Sequence, residues 1–421
     1  VIVKLFQRLN ILFLVLILIP TCIFPMVVDN RYFPWFSHPY NGTDHGHGCF
    51  RADPYFITGT TSWKIKPGVS KKDQETGYPN LQGDLDYYQL GKAFTIAGLE
   101  NPIPVDWQWL TSIPVDMPGS FQGQGITFSG YVPLTSHFGI GGSLLYLRLI
   151  AQANLKAAPE TITSLSLDAP GNQARFDQLT SQFELMAGTQ DGYWGQTGVG
   201  DVDLYIRLFD VQEYVHFCRK FDRSIVLGLL VPTGVQAPLN TVGAVPFGGN
   251  GFWGWYLSPT LEVELKEDWK AGVVARIEKR VAKTVDSRIT VANECALFAP
   301  ITGDLYINPG TTFMISPYFA LEDIREGLGA VLQYTLVVHA TDYFVDKREN
   351  QAVNARFINM MKNSRWLQEY VTVEGLYDLS FGEPWSYKPL LTLSLDMPIS
   401  LVGARGSAQT HRITLGLTVD F

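Results

Sequence analysis

Several residues able to bind a metal or to act as acid, base or nucleophile crowd together near the start of the chain: His38, Asp44, His45, His47 and Cys49. Imidazole, carboxylate and thiolate at such spacing suit zinc or copper, with His45, His47 and Cys49 the ligands a metal would use. The stretch is punctuated by Asn41-Gly42, Gly46 and Gly48, and no second ligand cluster follows it. A flexible lead peptide without metal is therefore the preferred reading, and no cofactor is expected. Cys22, Cys218 and Cys295 are too widely spaced to make a zinc pair or a disulfide framework. Of the remaining histidines, His137, His216, His339 and His411, none has the sequence neighbours of a hydrolase's catalytic histidine. His339 is followed by Ala340 and Thr341, so no nucleophile and base are paired in sequence and an enzyme is not expected.

The other polar chemistry is spread along alternating segments. Glu262 and Glu264, then Arg276, Glu278 and Arg280, then Gln333 and His339, then Glu374 and Asp378, then Asp396 and Arg412 all occupy one parity of their segments. The opposite parity is apolar: Trp253, Trp255, Leu257, Leu261, Val263 and Leu265 in one segment, Leu328, Leu332, Tyr334, Leu336 and Val338 in another. That is the pattern of strands with one wet and one greasy face. A charge on a lipid-facing midplane costs about 2 to 4 kcal/mol, so the charged parity must line an interior. Facing rows of acid and base could set up a transverse field that orients small polar solutes, or could simply pair with one another. Glu262 and Glu264 are expected to reach Arg276 and Arg280 across a hairpin.

These rows must be positioned by strands, and the last stretch shows which kind. Ile413, Leu415, Leu417, Val419 and Phe421 alternate with Arg412, Thr414, Gly416, Thr418 and Asp420. A strand that ends on an aromatic ring with apolar residues at every second position before it resembles the C-terminal insertion signal of bacterial outer-membrane β-barrels. Strands are predicted at 54–66, 125–133, 137–150, 198–209, 224–231, 253–265, 269–280, 311–321, 327–341, 367–380, 387–398 and 408–421. In the first, Tyr55, Ile57, Trp63 and Ile65 would form the apolar outer face. Connections alternate short and long from the second strand onward, as in barrels with short periplasmic turns and long extracellular loops. The fold expected is all-β, a transmembrane antiparallel β-barrel of 12 strands, with 14 the second choice if 85–98 is a strand rather than a helix. A helical or irregular insertion occupies 67–123 and is the expected plug if the lumen is closed; a further amphipathic piece surrounds Phe176, Leu179, Phe183 and Met186.

At the other end, Lys4 and Arg8 precede an apolar run from Ile11 to Ile19 closed by Pro20. Residues 1–25 read as an export signal, too short for a spanning helix. Residues 26–53 read as a periplasmic lead segment and 54–421 as the barrel. With 39 Gly, 25 Phe, 19 Tyr, 10 Trp and 17% charged residues, and no later apolar run of spanning length, a helical membrane protein is excluded. A net charge of −8 argues against nucleic acid as a partner. The partners expected are the lipid bilayer, the outer-membrane assembly machinery and small-molecule solutes.

Gly198-Val199-Gly200-Asp201-Val202-Asp203-Leu204-Tyr205-Ile206-Arg207, followed by Leu227 to Val231 and Pro232-Thr233-Gly234, resembles the outer-membrane family linked to the meta-pathway of phenol degradation, distantly related to fatty-acid transporters. The match covers about 40 residues. It implies a channel or transporter that passes small, often hydrophobic molecules passively across the outer membrane. The glycines would let a loop approach the wall, and Pro-Thr-Gly would end a strand. A surface structural or adhesion barrel and an outer-membrane hydrolase are the competing classes, and conductance separates the first class from both.

Overall fold

The computed structural model describes residues 30–35, 48–64, 75–83, 85–98, 114–115, 117–153, 166, 169, 171–187, 192–214, 218–382 and 387–421. The period-two segments form twelve long strands: β1 (Cys49–Trp63), β2 (Gly119–Pro133), β3 (Phe138–Ala153), β4 (Tyr193–Val199 continuing as Val202–Glu213), β5 (Lys220–Val231), β6 (Gly254–Lys266), β7 (Trp269–Arg280), β8 (Thr311–Arg325), β9 (Leu328–His339), β10 (Trp366–Asp378), β11 (Lys388–Pro398) and β12 (Ser407–Asp420). Each pairs antiparallel with the next, and β12 pairs with β1 from Cys49 opposite Asp420 to Trp63 opposite Ser407. The sheet is thus a closed 12-strand barrel, as the sequence pattern implied. Gly48 and Phe421 exchange backbone hydrogen bonds at 2.9 and 2.8 Å at the seam. Closure leaves no free edge, the only way a sheet satisfies its backbone in lipid.

Chain order fixes two unlike rims. Tight turns after β2, β4, β6, β8 and β10 share a rim with both ends of the barrel. The longer connections after β1, β3, β5, β7 and β9 gather at the opposite, loop rim, together with the compact turn after β11. There Lys283–Ile289, Ile301–Asn308 and Tyr343–Asp346 form a separate three-stranded sheet, none of whose strands is among the twelve that periodicity predicts. Three helices accompany it: α1 (Tyr87–Ile96), capped by the Asp86 side chain on Tyr88 N and Gln89 N, α2 (Asn172–Ala187) and α3 (Ile358–Ser364). Helix α1 falls where the 85–98 pattern favoured a helix over an extra strand.

The outer wall is apolar and bare. Trp253, Trp255, Leu261, Leu265 and Trp269 on β6 and β7 are each about half exposed. Trp255 and Leu265 lie on one face ten residues apart, roughly 33 Å of strand and about 25 Å along the axis at the usual ~40° tilt, the height of a lipid-facing band. Trp255 and Phe313 sit toward the loop rim, and Trp269, Tyr377 and Phe421 toward the turn rim, as two aromatic belts would.

On the inner wall a repeated pairing stands out. The rings of Tyr55, Tyr131, Tyr205, Tyr256 and Tyr318 lie flat over Gly125, Gly139, Gly141, Gly228 and Gly272 of a neighbouring strand, so close that a Cβ at any of these glycines would collide with the ring. Each tyrosine covers backbone that glycine leaves bare, which ties adjacent strands together at a position where glycine alone would weaken the sheet. This overturns one expectation: Tyr55 and Ile57 face the lumen and are buried, while Phe50 and Phe56 of the opposite parity are exposed outside. Hydrophobicity alone misassigned β1 because its inner face meets an apolar core instead of water.

Candidate functional site: a divided lumen

The resemblance motif forms the anchor of the site. Strand β4 is interrupted at Gly200-Asp201, and the fully buried Asp201 carboxylate accepts from Gly234 N at 3.1 Å and Gly249 N at 2.7 Å. Arg280 lies 2.9 Å away on the same carboxylate and also donates to the Phe252 carbonyl at 2.6 Å. Thr233 Oγ1 donates to the Gly200 carbonyl at 2.8 Å. One acid thus binds both ends of the β5–β6 connection and folds it inward. A side chain at Gly234 or Gly248 would displace the Asp201 carboxylate. Val245 and Phe247 of that connection are completely buried, and Phe247 packs edge-on against Trp194 at 5.7 Å.

The folded connection forms a core with Tyr78 and Leu81, with the inner faces of β1, β2 and β3, and with Tyr32 and Phe33. Tyr32 and Phe33 belong to Asn30–Trp35, which runs through the barrel interior. Asn30 donates to the Pro246 carbonyl at 2.9 Å and Arg31 to the Asn363 carbonyl at 2.8 Å. The backbone is held chiefly from the last strand: Ala408 N donates to Arg31 O at 2.9 Å, Thr410 Oγ1 to Tyr32 O, and Arg412 to Pro34 O at 3.2 Å and Trp35 O at 3.0 Å. Tyr370 OH donates to Phe33 O at 3.2 Å. Residues 30–35 of the stretch expected as a periplasmic lead, 26–53, thus pack inside the barrel. The lumen is filled by Asn30–Trp35 and the β5–β6 connection; from the 67–123 insertion, Tyr78 and Leu81 contribute.

Among the described residues, spaces remain along this side of the lumen. A vestibule of about 350 Å³ at the loop rim is lined by Asn30, Arg31, Tyr32, Phe252, Phe344 and Trp366 among others. A chamber of about 460 Å³ at the turn rim is bounded by Trp35, Glu262, Lys270, Tyr318, Glu374 and Leu376 among others. Between them Trp35 packs with Met314, Val337, Trp366 and Val274 as a septum, leaving a polar crevice of only about 30 Å³ beside Arg51, Asp53, Asp396 and Arg412.

Glu262, Glu264, Arg276, Glu278, Arg280, His339, Asp396 and Arg412 are buried, each with partners close by. Arg276 lies over the Tyr256 ring at 3.4 Å and bonds Glu278 at 2.8 Å; Tyr256 OH donates to Asp203 at 2.7 Å. Glu278 also lies 3.4 Å from Arg280. Glu262 and Glu264 do not meet these arginines, contrary to the expected row. The register sets Glu262 opposite Gly272 and Glu264 opposite Lys270, so Arg276 is four residues, roughly 14 Å, nearer the loop rim. Glu262 instead accepts from Tyr318 OH at 2.5 Å, and Glu264 lies 3.3 Å from Arg219 in the β4–β5 turn. Gln333 donates to Ser316 Oγ at 2.6 Å, Glu374 lies 3.8 Å from Arg51, Asp378 binds the backbone and hydroxyl of Ser380, and Asp396 holds Arg412 at 2.6 Å.

His339 is less solitary than its sequence neighbours suggested. Nδ1 lies 2.8 Å from Thr312 Oγ1, Nε2 lies 3.0 Å from Asp342 Oδ1, and the ring stacks on Trp366 at 5.3 Å. The order hydroxyl, imidazole, carboxylate is that of a catalytic triad. Asp342, however, also accepts from Gly310 N at 2.7 Å, and Thr312 is buried and absent from the vestibule wall that His339 and Asp342 share. A nucleophile that substrate cannot touch does no chemistry, so the chain is a brace between β8, β9 and the loop beyond β9.

His45 and His47 lie outside the described residues. Cys49 is a buried thiol on the inner face, in no disulfide, packed with Tyr131, Tyr205 and Tyr256. Among the described residues no group of three or more His, Cys, Asp or Glu side chains could hold a metal ion. Sequence reading missed Asn30–Trp35 and the anchoring role of Asp201. The available signal for the first was the density of aromatic residues in Tyr32-Phe33-Pro34-Trp35, too apolar for a solvated linker.

No family model matches the chain, and no curated protein matches it. Among solved structures, an outer membrane channel from Pseudomonas putida F1 is similar over 91% of this chain and 100% of its own, at 10% identity and a TM-score of 0.49. The toluene transporter TodX from Pseudomonas putida is similar over 95% of both chains, at 10% identity and a TM-score of 0.30. The translocator domain of the autotransporter NalP from Neisseria meningitidis is similar over 91% of this chain and 90% of its own, at 8% identity and a TM-score of 0.32.

Proposed function

We propose that this protein is a bacterial outer-membrane channel for the passive uptake of small molecules, hydrophobic ones included, and that it does no covalent chemistry. The observation that carries the reading is the division of a closed, apolar-walled barrel into a loop-rim vestibule and a turn-rim chamber by a septum one chain segment thick. A structural or adhesion barrel needs no such chambers. The polar side chains that line them, Glu262, Gln333, His339 and Glu374 among these, meet the solute as it passes. Arg276, Glu278, Arg280, Asp396 and Arg412 serve mainly to hold the inner loops, and Glu264 and Asp378 tie down turns at the turn rim. Ile413, Leu415, Leu417, Val419 and Phe421 present the outer face of the last strand to lipid and to the assembly machinery. The loop rim faces outward and the turn rim faces the periplasm. Reconstitution into liposomes tests the reading: uptake of small solutes such as toluene and benzyl alcohol above that of protein-free liposomes is expected. No solute passing, either with the intact chain or with residues 30–35 deleted, would refute it.

A further inference from the structure

The turn-rim chamber has two unlike walls. Ala320, Val331, Leu376 and Leu390 lie at inward positions on four consecutive strands, β8 to β11, with Ala320 directly opposite Val331 in the register. An inward face in a water-filled pore is normally polar, so an apolar patch of this breadth presents a surface for an apolar body. Trp35 closes its inner end. The remainder of the lining is charged, and unevenly so: among the described residues seven carboxylates face three cations, Arg51, Lys270 and Lys388. Lys270 is paired with Glu322 at 2.5 Å and Arg51 with Asp53 at 2.7 Å. The volume, about 460 Å³, falls within the range of small-ligand sites, roughly 300 to 1,000 Å³. Low-dielectric walls focus the field of an acidic lining on whatever enters.

From this juxtaposition we infer that the chamber selects small amphipathic cations, molecules with an aromatic or compact aliphatic body and one ammonium group. The body lies on the Val331–Leu376 patch beside Trp35, and the positive group lies toward Glu262 and Glu374. The inference rests on the channel reading and narrows it: neutral hydrocarbons would find the apolar wall alone, and aromatic carboxylates would meet like charge.

Calorimetry on the full chain in detergent, with benzyltrimethylammonium, tetramethylammonium, benzyl alcohol and benzoate as probes, tests it. Benzyltrimethylammonium is expected to bind at least tenfold more tightly than any of the other three, with a preference that shrinks as salt rises. Glu374→Gln and Glu262→Gln should each remove most of the advantage over benzyl alcohol, and Leu376→Asn most of the advantage over tetramethylammonium. Because Glu374 neighbours Arg51, the Glu262→Gln variant, which keeps an acceptor for Tyr318, guards against a folding defect, and heat-modifiability reports the fold of both. Equal binding of benzyl alcohol or benzoate, or a preference that survives both Gln variants in folded protein, would overturn the inference. So would the absence of binding by all four probes while liposome uptake proceeds, an outcome that leaves the channel reading standing; failure of the uptake assay itself is what removes that reading.

Discussion

Arg412 and Trp35 are separated by almost the whole chain, yet Arg412 Nη2 donates to the Trp35 carbonyl at 3.0 Å while Nε holds Asp396 at 2.6 Å. One guanidinium on the closing strand thus completes an ion pair within the wall and fastens the segment that divides the lumen. Arg412→Ala would leave the buried Asp396 carboxylate without its partner, a change that typically costs about 3 to 5 kcal/mol. A lower denaturant midpoint, partly recovered in the double variant with Asp396→Asn, is the expected result.

Removal of the segment separates its two roles. Deleting residues 30–35 should convert a barely conducting barrel into one with stable open-channel steps in planar bilayers, because Trp35 is the central member of the septum. The strand-to-strand ladder does not include it, so heat-modifiability should persist.

Face assignment is tested on the last strand. Leu415 points outward and is half exposed, whereas Thr418 is buried on the chamber side. Leu415→Arg should cost about 2 to 4 kcal/mol near the bilayer midplane and lower membrane yield. Thr418→Arg, which adds a cation to an acidic chamber, should be accommodated.

The glycine and tyrosine pairs make a sharper contrast. A side chain at Gly228 would enter the Tyr256 ring and break its 2.7 Å bond to Asp203, so Gly228→Val should cost about 1 to 3 kcal/mol or more. Gly375 meets nothing nearer than a carbonyl at 4.0 Å, and Gly375→Val should change stability by about 0.5 kcal/mol or less. Urea unfolding of the two variants side by side measures the difference.

In the loop-rim sheet, hydrogen bonds from Arg348 to Asp346, at 3.0 and 2.7 Å, hold that carboxyl below its ordinary range. A depressed folded pKa contributes stability that is present above the unfolded value near 3.8 and is lost as pH falls through the folded value. The protection of amides in Leu305–Asn308, measured against their intrinsic exchange rates, should therefore fall below about pH 4, by the equivalent of at most about 1 kcal/mol for this part-buried pair, and Asp346→Asn should abolish that dependence.

Much of the barrel could be read from the chain because lipid and lumen impose opposite demands on alternate residues. Strands β6, β7 and β12 obey that rule: Trp255, Ile277 and Leu415 face out while Glu262, Arg276 and Arg412 face in. The rule failed on β1, where Tyr55 and Ile57 meet a folded-in apolar core, since periodicity shows two faces but not which is wet. Side-chain pairing was beyond its reach as well: parity places Glu262 and Arg276 in one lumen, while their separation depends on a register that only the turn at Glu267-Asp268 sets. The septum stayed hidden for a related reason. Asn30–Trp35 has no regular secondary structure, so no periodicity marks it, and its partners lie on strands hundreds of residues later.

That distance has a consequence for timing. Three of the groups that seat Arg31 to Trp35, Ala408, Thr410 and Arg412, stand on β12. The early segment can find its place only after β12 has joined β1, and contacts of such long range form slowly. The seam and the seal are therefore coupled: a chain that has not finished its barrel cannot block it, and a correctly blocked lumen certifies that the final strand has been laid in register.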